Sequence, residues 1–295
     1  MTEDTRTLTP SVRIFAEGVL GRIAAVHDAS RPGPHSRVWE VTRADGRRFY
    51  VKRSPTPKSF ERETWAYRSA VPALGFGRAP HLLGSDARQL TLLLTALPGA
   101  PVTRVALDPA ARRAAHRQFG AVLARLHSTG AASAVDRRRA LESAHALPDE
   151  AELNLRRAGS LIAGERAALV RRAAARAVRL APGLPAARVH GDAREHNALW
   201  HEGRLALIDF ERSRYAPAAL DFVRLACGPW EERADLRTAF FEGYGRRPTE
   251  AEREALWCMA VLDAVSRLGH GPSDGDEATR RGLRTLERLE RGAFG

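Results

Sequence analysis

The residues with the clearest chemical potential are concentrated in one stretch, His190-Gly191-Asp192-Ala193-Arg194-Glu195-His196-Asn197, followed shortly by Ile208-Asp209-Phe210. A carboxylate, an amide and a second carboxylate in that order suit phosphoryl transfer. That reaction needs little covalent help from a protein; it needs an acceptor hydroxyl held in line and cations that neutralise the phosphate oxygens. Asp192 can orient the acceptor hydroxyl or accept its proton, while Asn197 and Asp209 offer hard oxygen ligands to magnesium. The Glu202-Gly203 pair is a turn signal that folds two short strands back and lets these residues converge. An aspartate after a glycine is often only a turn residue or cap, but three chemically distinct groups in working order are hard to assign to turns alone.

Composition sharpens the choice of residues. Of the 47 basic residues only Lys52 and Lys58 are lysines, and Asn154 and Asn197 are the only asparagines. Where a bias excludes a residue type, an instance in a chemically suggestive place points to a requirement there, and Lys52 and Asn197 are so placed. The two cysteines, Cys227 and Cys258, show no metal-ligand spacing and read as core thiols. The formal charge of +12 invites a nucleic-acid reading, but the excess lies wholly before His190, in alanine-rich helical stretches such as Arg137-Arg138-Arg139, with no interleaved aromatic residues. Neither a nucleic-acid partner nor a membrane is expected. With no apolar stretch long enough to span a bilayer and a polar segment from Met1 to Pro10, the expected location is cytoplasmic.

These residues need a scaffold. Arg37–Val41 alternates, Asp45-Gly46 is a hairpin turn signal, and Arg48–Lys52 is the returning strand. A helix is expected over Phe60–Ala70, and a buried strand over Leu90–Leu97 running into Pro98-Gly99-Ala100-Pro101, a natural hinge. Ala115, Phe119, Val122, Leu123 and Leu126 then recur at helical spacing, and Ala140–Leu180 reads as helical with breaks near Pro148, Gly159 and Gly164. A strand-rich island follows: Arg188–His190, Asn197–Trp200 and Arg204–Phe210. The last eighty residues return to helix. The expected fold is α+β, with a small antiparallel-sheet lobe over residues 1–97, a hinge about 94–101, and a mainly helical lobe over 98–295.

His190-Gly191-Asp192 with Asn197, followed by Ile208-Asp209-Phe210, resembles the catalytic and metal-binding loops of the aminoglycoside phosphotransferase family, which shares the bilobal protein-kinase-like fold. Ala216–Asp221 is similar to the family's segment ending in a structural aspartate. The resemblance implies that His190 positions the loop, Asp192 acts as catalytic base, and Asn197 and Asp209 bind Mg2+. It also implies that Lys52 contacts the α- and β-phosphates of ATP or GTP, with Glu63 as its helix partner and Glu61 as a rival. Leu92–Gly99 resembles the hinge whose backbone binds the purine, which brings Thr95 and Leu97 to the nucleotide. Ser36, in the stretch from Ser30 to Arg37, either caps the phosphates or belongs to a plain loop. The sequence departs from the family where many members have a histidine-proline pair in the catalytic loop, and its phosphate-covering stretch has a single glycine.

The implied activity is transfer of a γ-phosphate from a nucleoside triphosphate to a hydroxyl of a small molecule. The acceptor would be an antibiotic of aminoglycoside, nucleoside or peptide type, or a metabolite such as choline, homoserine or a sugar. An inactive nucleotide-binding module would be free to lose Lys52, Asp192, Asn197 or Asp209, and all four are present. A protein kinase is disfavoured by Asp209-Phe210-Glu211 in place of D-F-G. A polycationic acceptor would want carboxylates, and Glu231, Glu232, Asp235, Asp263, Asp274, Asp276 and Glu277 are at hand.

Overall fold

The computed structural model describes residues 7–30, 36–274 and 276–292, excluding the side chains from 270 to 278. In chain order the elements are α1 (Pro10–Leu20), β1 (Ile23–Asp28), β2 (Arg37–Arg43), β3 (Arg48–Arg53), α2 (Pro57–Ser69), β4 (Leu82–Asp86), β5 (Thr91–Thr95) and β6 (Ala100–Pro101). There follow α3 (Pro109–His127), α4 (Ala134–His145), α5 (Leu147–Ala158), α6 (Glu165–Leu180), β7 (Ala186–Val189), β8 (Ala198–His201), β9 (Arg204–Leu207) and β10 (Arg214–Pro217). Four helices complete the chain: α7 (Val223–Ala226), α8 (Ala234–Tyr244), α9 (Glu250–Asp274) and α10 (Asp276–Glu290). The chain forms two compact units, one from residues 1–111 with 195–214 and the other from 112–194 with 215–295.

The first unit is built on a five-stranded antiparallel sheet in the order β1-β2-β3-β5-β4. Asp45 and Gly46, the latter at φ 82°, close the β2–β3 hairpin read from the sequence. Its alternation sends Phe49 and Val51 into an apolar core with Trp39, Val41 and Leu93, and α1 covers that core with Val12 and Ala16. Lys52 points the other way from Val51 and lies opposite Val38 on one neighbouring strand and Leu92 on the other. On α2, Thr56 caps the N-terminus by accepting from the Ser59 N–H at 3.1 Å, and Pro57 fixes the first turn. Phe60, Glu63, Thr64 and Tyr67 form the buried stripe of this helix at helical spacing, so Glu63 is carried inward on an otherwise apolar or neutral face.

A second sheet, β6-β8-β9, belongs to the same unit. Glu202 (φ 44°) and Gly203 (φ 76°) make the two-residue turn between β8 and β9, a geometry matched to the twist of a hairpin. The strand expected over Arg204–Phe210 ends at Leu207, because Asp209 takes φ 71° and leaves the ladder. Helix α1 and strands β1 and β4 were not anticipated from the sequence; α1 announces itself only by the Thr9 cap and Pro10.

The second unit is mainly helical. Helix α9 packs against α5, α6, α7 and α10. Helices α3 and α8 approach backbone to backbone: a Cβ on Gly120 would lie 2.0 Å from the Phe240 carbonyl oxygen, and one on Gly243 would lie 1.7 Å from that of Arg117. Phe119, Phe222, Phe240 and Tyr244 fill the space beside this contact, mostly edge to face. Strand β7 pairs with β10. Among the described residues, no helix is long and apolar enough to cross a membrane.

Candidate active site

In the first unit a buried lysine gathers three carboxylates. Lys52 Nζ lies 2.9 Å from Glu63, 2.5 Å from Asp209 Oδ1 and 3.1 Å from Glu211 Oε2. Glu63 is completely buried, while the rival Glu61 is exposed on α2. Burial works against the Lys52 charge, yet Asp209, Glu63 and Glu211 outweigh it and hold the ammonium well above its ordinary pKa. Burial pushes the Glu63 carboxyl up to about 7; the Lys52 charge opposes this rise, and the Asp209 and Glu211 charges add to it. Ser36 Oγ donates to Glu211 Oε2 at 2.6 Å, so this hydroxyl is tied to the carboxylate two residues after Asp209. Residues 31–35 of the expected phosphate-covering stretch lie outside the described residues.

Asn197 and Asp209 are brought to neighbouring positions by the ends of the β8–β9 hairpin. The Ile208 N–H donates to the Asn197 carbonyl at 3.0 Å, which fixes the start of one strand against the residue before Asp209. A left-handed backbone on a non-glycine residue costs about 1–3 kcal/mol and tends to persist at functional positions. Here the turn releases Asp209 from the strand, and Phe210 is anchored edge to face on Tyr67, ring centres 5.4 Å apart. Carboxylate oxygens of Glu63, Asp209 and Glu211 lie within 4.8 Å of one another. Three carboxylates around one ammonium leave a negative excess that a divalent cation would offset, and an oxygen-only donor set is of the kind that suits magnesium. Thr95 Oγ1 accepts from the His81 N–H at 2.8 Å, and Leu97 is half-buried just beyond β5.

In the second unit, Asp221 pins the loop that carries Asp192. Its carboxylate accepts from the His190 and Gly191 N–H groups, each at 2.7 Å, and its Oδ2 lies 2.9 Å from His127 Nε2. The His127 Nδ1 lies 2.8 Å from the Tyr244 hydroxyl. Gly191 turns at φ 82°, a conformation that glycine adopts without strain. The Asp192 N–H then donates to His190 Nδ1 at 3.3 Å, so His190 holds the loop from within. Asp192 is buried and lies 3.0 Å from Arg194 Nη2 and 3.7 Å from Arg224 Nε. Arg224 also reaches Asp263 at 3.2 Å, and Arg267 holds Asp263 at 2.8 Å. Cys227 and Cys258 are buried, and burial pushes their thiols up to about 12 and about 11, which makes them inert core groups.

The sequence profile of a phosphotransferase enzyme family, abbreviated APH, matches residues 31–257. The chain belongs to that family. No curated protein sequence matches this phosphotransferase, but solved structures of its fold do. The ternary complex of APH(2")-IIa with streptomycin and ATP superposes with a TM-score of 0.67 at 17% identity, covering 96% of this chain and 97% of that one. The GDP and kanamycin complex of APH(2")-IIia gives 0.66 at 13% identity, over 95% and 97%. A macrolide 2'-phosphotransferase type I gives 0.58 at 18% identity, over 95% and 98%. The phosphotransferase therefore has the kinase-like α+β fold, with its antiparallel sheet toward the N-terminus and helices dominating the rest.

Glu211, Arg194, Arg224 and Arg267 escaped sequence reasoning. Glu211 could have been found as the second carboxylate of Asp209-Phe210-Glu211, but nothing distinguishes three arginines in a chain this rich in them.

Proposed function

We propose that the protein is a magnesium-dependent O-phosphotransferase that moves the γ-phosphate of ATP or GTP to a hydroxyl of a small-molecule antibiotic, of aminoglycoside, nucleoside or peptide type, in resistance or self-protection within the cytoplasm. The buried Lys52–Glu63 pair joined to Asp209, in a chain of this family, carries the reading. Relatives bound to ATP with streptomycin, and to GDP with kanamycin, support a nucleotide donor and a hydroxylated acceptor.

In this reading residues 1–97 serve the nucleotide and residues 98–295 the acceptor. Lys52, held by Glu63, binds the α- and β-phosphates, Ser36 caps them, and the backbone at Thr95 and Leu97 holds the purine. Asn197 and Asp209 hold magnesium, which when bound neutralises triphosphate charge. Asp192 aligns the acceptor hydroxyl and receives its proton as the oxygen bonds to the γ-phosphorus and the bond to the β–γ bridging oxygen breaks. His190 and Asp221 keep Asp192 in place.

The test is a melting-temperature shift with Mg-ATP and Mg-GTP, followed by a screen for one-phosphate mass gain over antibiotics and hydroxylated metabolites. A protein that neither nucleotide stabilises, and that phosphorylates nothing, is not this enzyme.

A further inference from the structure

Of the carboxylates that a polycationic acceptor would want, Asp263 is held by Arg224 and Arg267, Glu231 by Arg288 and Asp235 by Arg233, and the side chains of Asp274, Asp276 and Glu277 lie outside those described. A different line of contacts leads to the loop that carries Asp192. Arg194 and Arg224 touch the Asp192 carboxylate itself, whereas Asp221 sets the backbone beneath it. Asp221 Oδ1 accepts from the Gly191 N–H; its Oδ2 accepts from the His190 N–H and faces His127 Nε2 at 2.9 Å. A buried carboxylate held below its ordinary pKa can only accept, so His127 Nε2 carries a proton. The opposite ring nitrogen, Nδ1, faces the Tyr244 hydroxyl at 2.8 Å. An imidazole engaged at both nitrogens is fixed in rotation, because turning the ring over would set carbon atoms against the carboxylate and the hydroxyl.

The fold brings these two side chains together deliberately. His127 is the last residue of α3 and Tyr244 the last of α8, and Gly120 and Gly243 are what let the two helices touch backbone to backbone. Burial pushes the Tyr244 phenol up to about 12, so the hydroxyl keeps its proton and can meet Nδ1 whether that nitrogen donates or accepts. The charge of Arg246 and its hydrogen bond to the phenol oppose that rise, and its guanidinium lies 5.4 Å from the centre of the ring. Glu252 holds the same guanidinium through two bonds of 2.6 and 2.7 Å. Packing does not require the hydroxyl: the Tyr244 ring meets Phe222 at 5.3 Å and His127 at 5.6 Å, both edge to face, and phenylalanine could do the same.

We infer that Tyr244 is a positioning residue for phosphoryl transfer, its hydroxyl acting through His127 and Asp221 on the two amides that place Asp192. This rests on the reading of Asp192 as the group that receives the acceptor's proton. Tyr244 touches no reacting atom; it fixes the ring that fixes the carboxylate. Without the hydroxyl, His127 is free to turn, Asp221 loses one of its donors, and the loop holds Asp192 less tightly.

The experiment uses the full chain with magnesium, ATP and GTP, with water as the probe acceptor, and compares the protein with Tyr244→Phe, His127→Asn and the double variant. Tyr244→Phe should lower kcat for nucleotide hydrolysis by roughly tenfold, about the worth of one hydrogen bond, with KM for the Mg-nucleotide unchanged. The same change made in His127→Asn should have no further effect, since the hydroxyl acts only through that ring. Amide exchange read by NMR should quicken by a similar factor at His190 and Gly191 and stay as it was at Leu126, in the buried face of α3. If His127→Asn lowers the melting temperature, Tyr244→Phe alone is read. Unchanged kcat in Tyr244→Phe overturns the inference, as does a full additional loss in the double variant; where water gives no turnover, unchanged exchange at His190 and Gly191 overturns it. Asp192→Asn is run beside them: if it hydrolyses nucleotide as fast as the unaltered protein, the reading of Asp192 falls first, whatever Tyr244→Phe does.

Discussion

Lys52 is the side chain whose removal the first unit should feel most, because it is the counter-charge of three carboxylates, one of them wholly buried. Lys52→Met is expected to cost about 3–5 kcal/mol, the loss typical when one partner of a buried ion pair is removed, measurable by urea denaturation. Added magnesium should recover part of that loss, since a divalent cation can offset the same carboxylates. Asp192→Asn and Asp209→Asn should separate acceptor chemistry from donor binding. The first should lower single-turnover transfer by roughly 10²–10⁴, as for loss of a general base, with nucleotide affinity nearly unchanged; the second should weaken Mg-nucleotide binding itself, seen by titration. Near-normal turnover in Asp192→Asn would remove its assignment. His190, Asp192, Asn197, Asp209 and Lys52 were legible as candidates because each is a distinctive type in a telling order, whereas Glu61 and Glu63 were both open as the partner of Lys52 until burial and the ion pair separated them. Arg224 was not legible: its place in the site comes from reaching both Asp192 and Asp263, and that distance is invisible in a sequence dense in arginine.

At the scale of elements, the loop before Asn197 depends on a clamp that comes from the segment between β10 and α7. Burial would raise the Asp221 pKa, but the hydrogen bond and charge of His127, the His190 charge and the His190 N–H outweigh it and hold the carboxyl below its ordinary value. A carboxyl lowered on folding stabilises the protein fully above its unfolded pKa, near ~4; the contribution is lost as pH falls through the folded value. Melting temperature should therefore drop below about pH 4, and Asp221→Asn should be less stable at neutral pH with a shallower acid decline. If the two acid limbs coincide, another carboxylate governs them. The α3–α8 contact makes a sharper demand, since a Cβ on Gly120 would meet the backbone of α8 at 2.0 Å. Gly120→Ala should cost about 1–3 kcal/mol, the usual penalty of overpacking, by thermal or urea unfolding. The helical periodicity of α3 was plain in Ala115, Phe119, Val122 and Leu126, whereas its bare-backbone contact was hidden: glycine carries no periodic signal of what lies across from it. Strands β1 and β4 were missed for a related reason, since β1 sits at the sheet edge with only its first residue buried and β4 contains Gly84.

At the scale of the molecule, the first unit is discontinuous in sequence, and this bears on how it can be taken apart. Residues 1–111 without 195–214 lose β8 and β9, the bond from the Leu207 N–H to the Arg78 carbonyl at 2.8 Å, and the Phe210 ring that packs on Tyr67. Expressed alone, that fragment should show no cooperative urea transition, and a sharp transition like that of the full chain would mean the missing hairpin is dispensable. The same discontinuity sets an order of events at the ribosome. Lys52 and Glu63 emerge early, yet Asp209 and Glu211 are made only after residues 112–194 have been synthesised. Synthesis runs at roughly 5–20 residues per second, so the nascent chain must carry an unfinished sheet unit for some seconds. Anything that shields that surface during the interval should raise the yield of soluble enzyme.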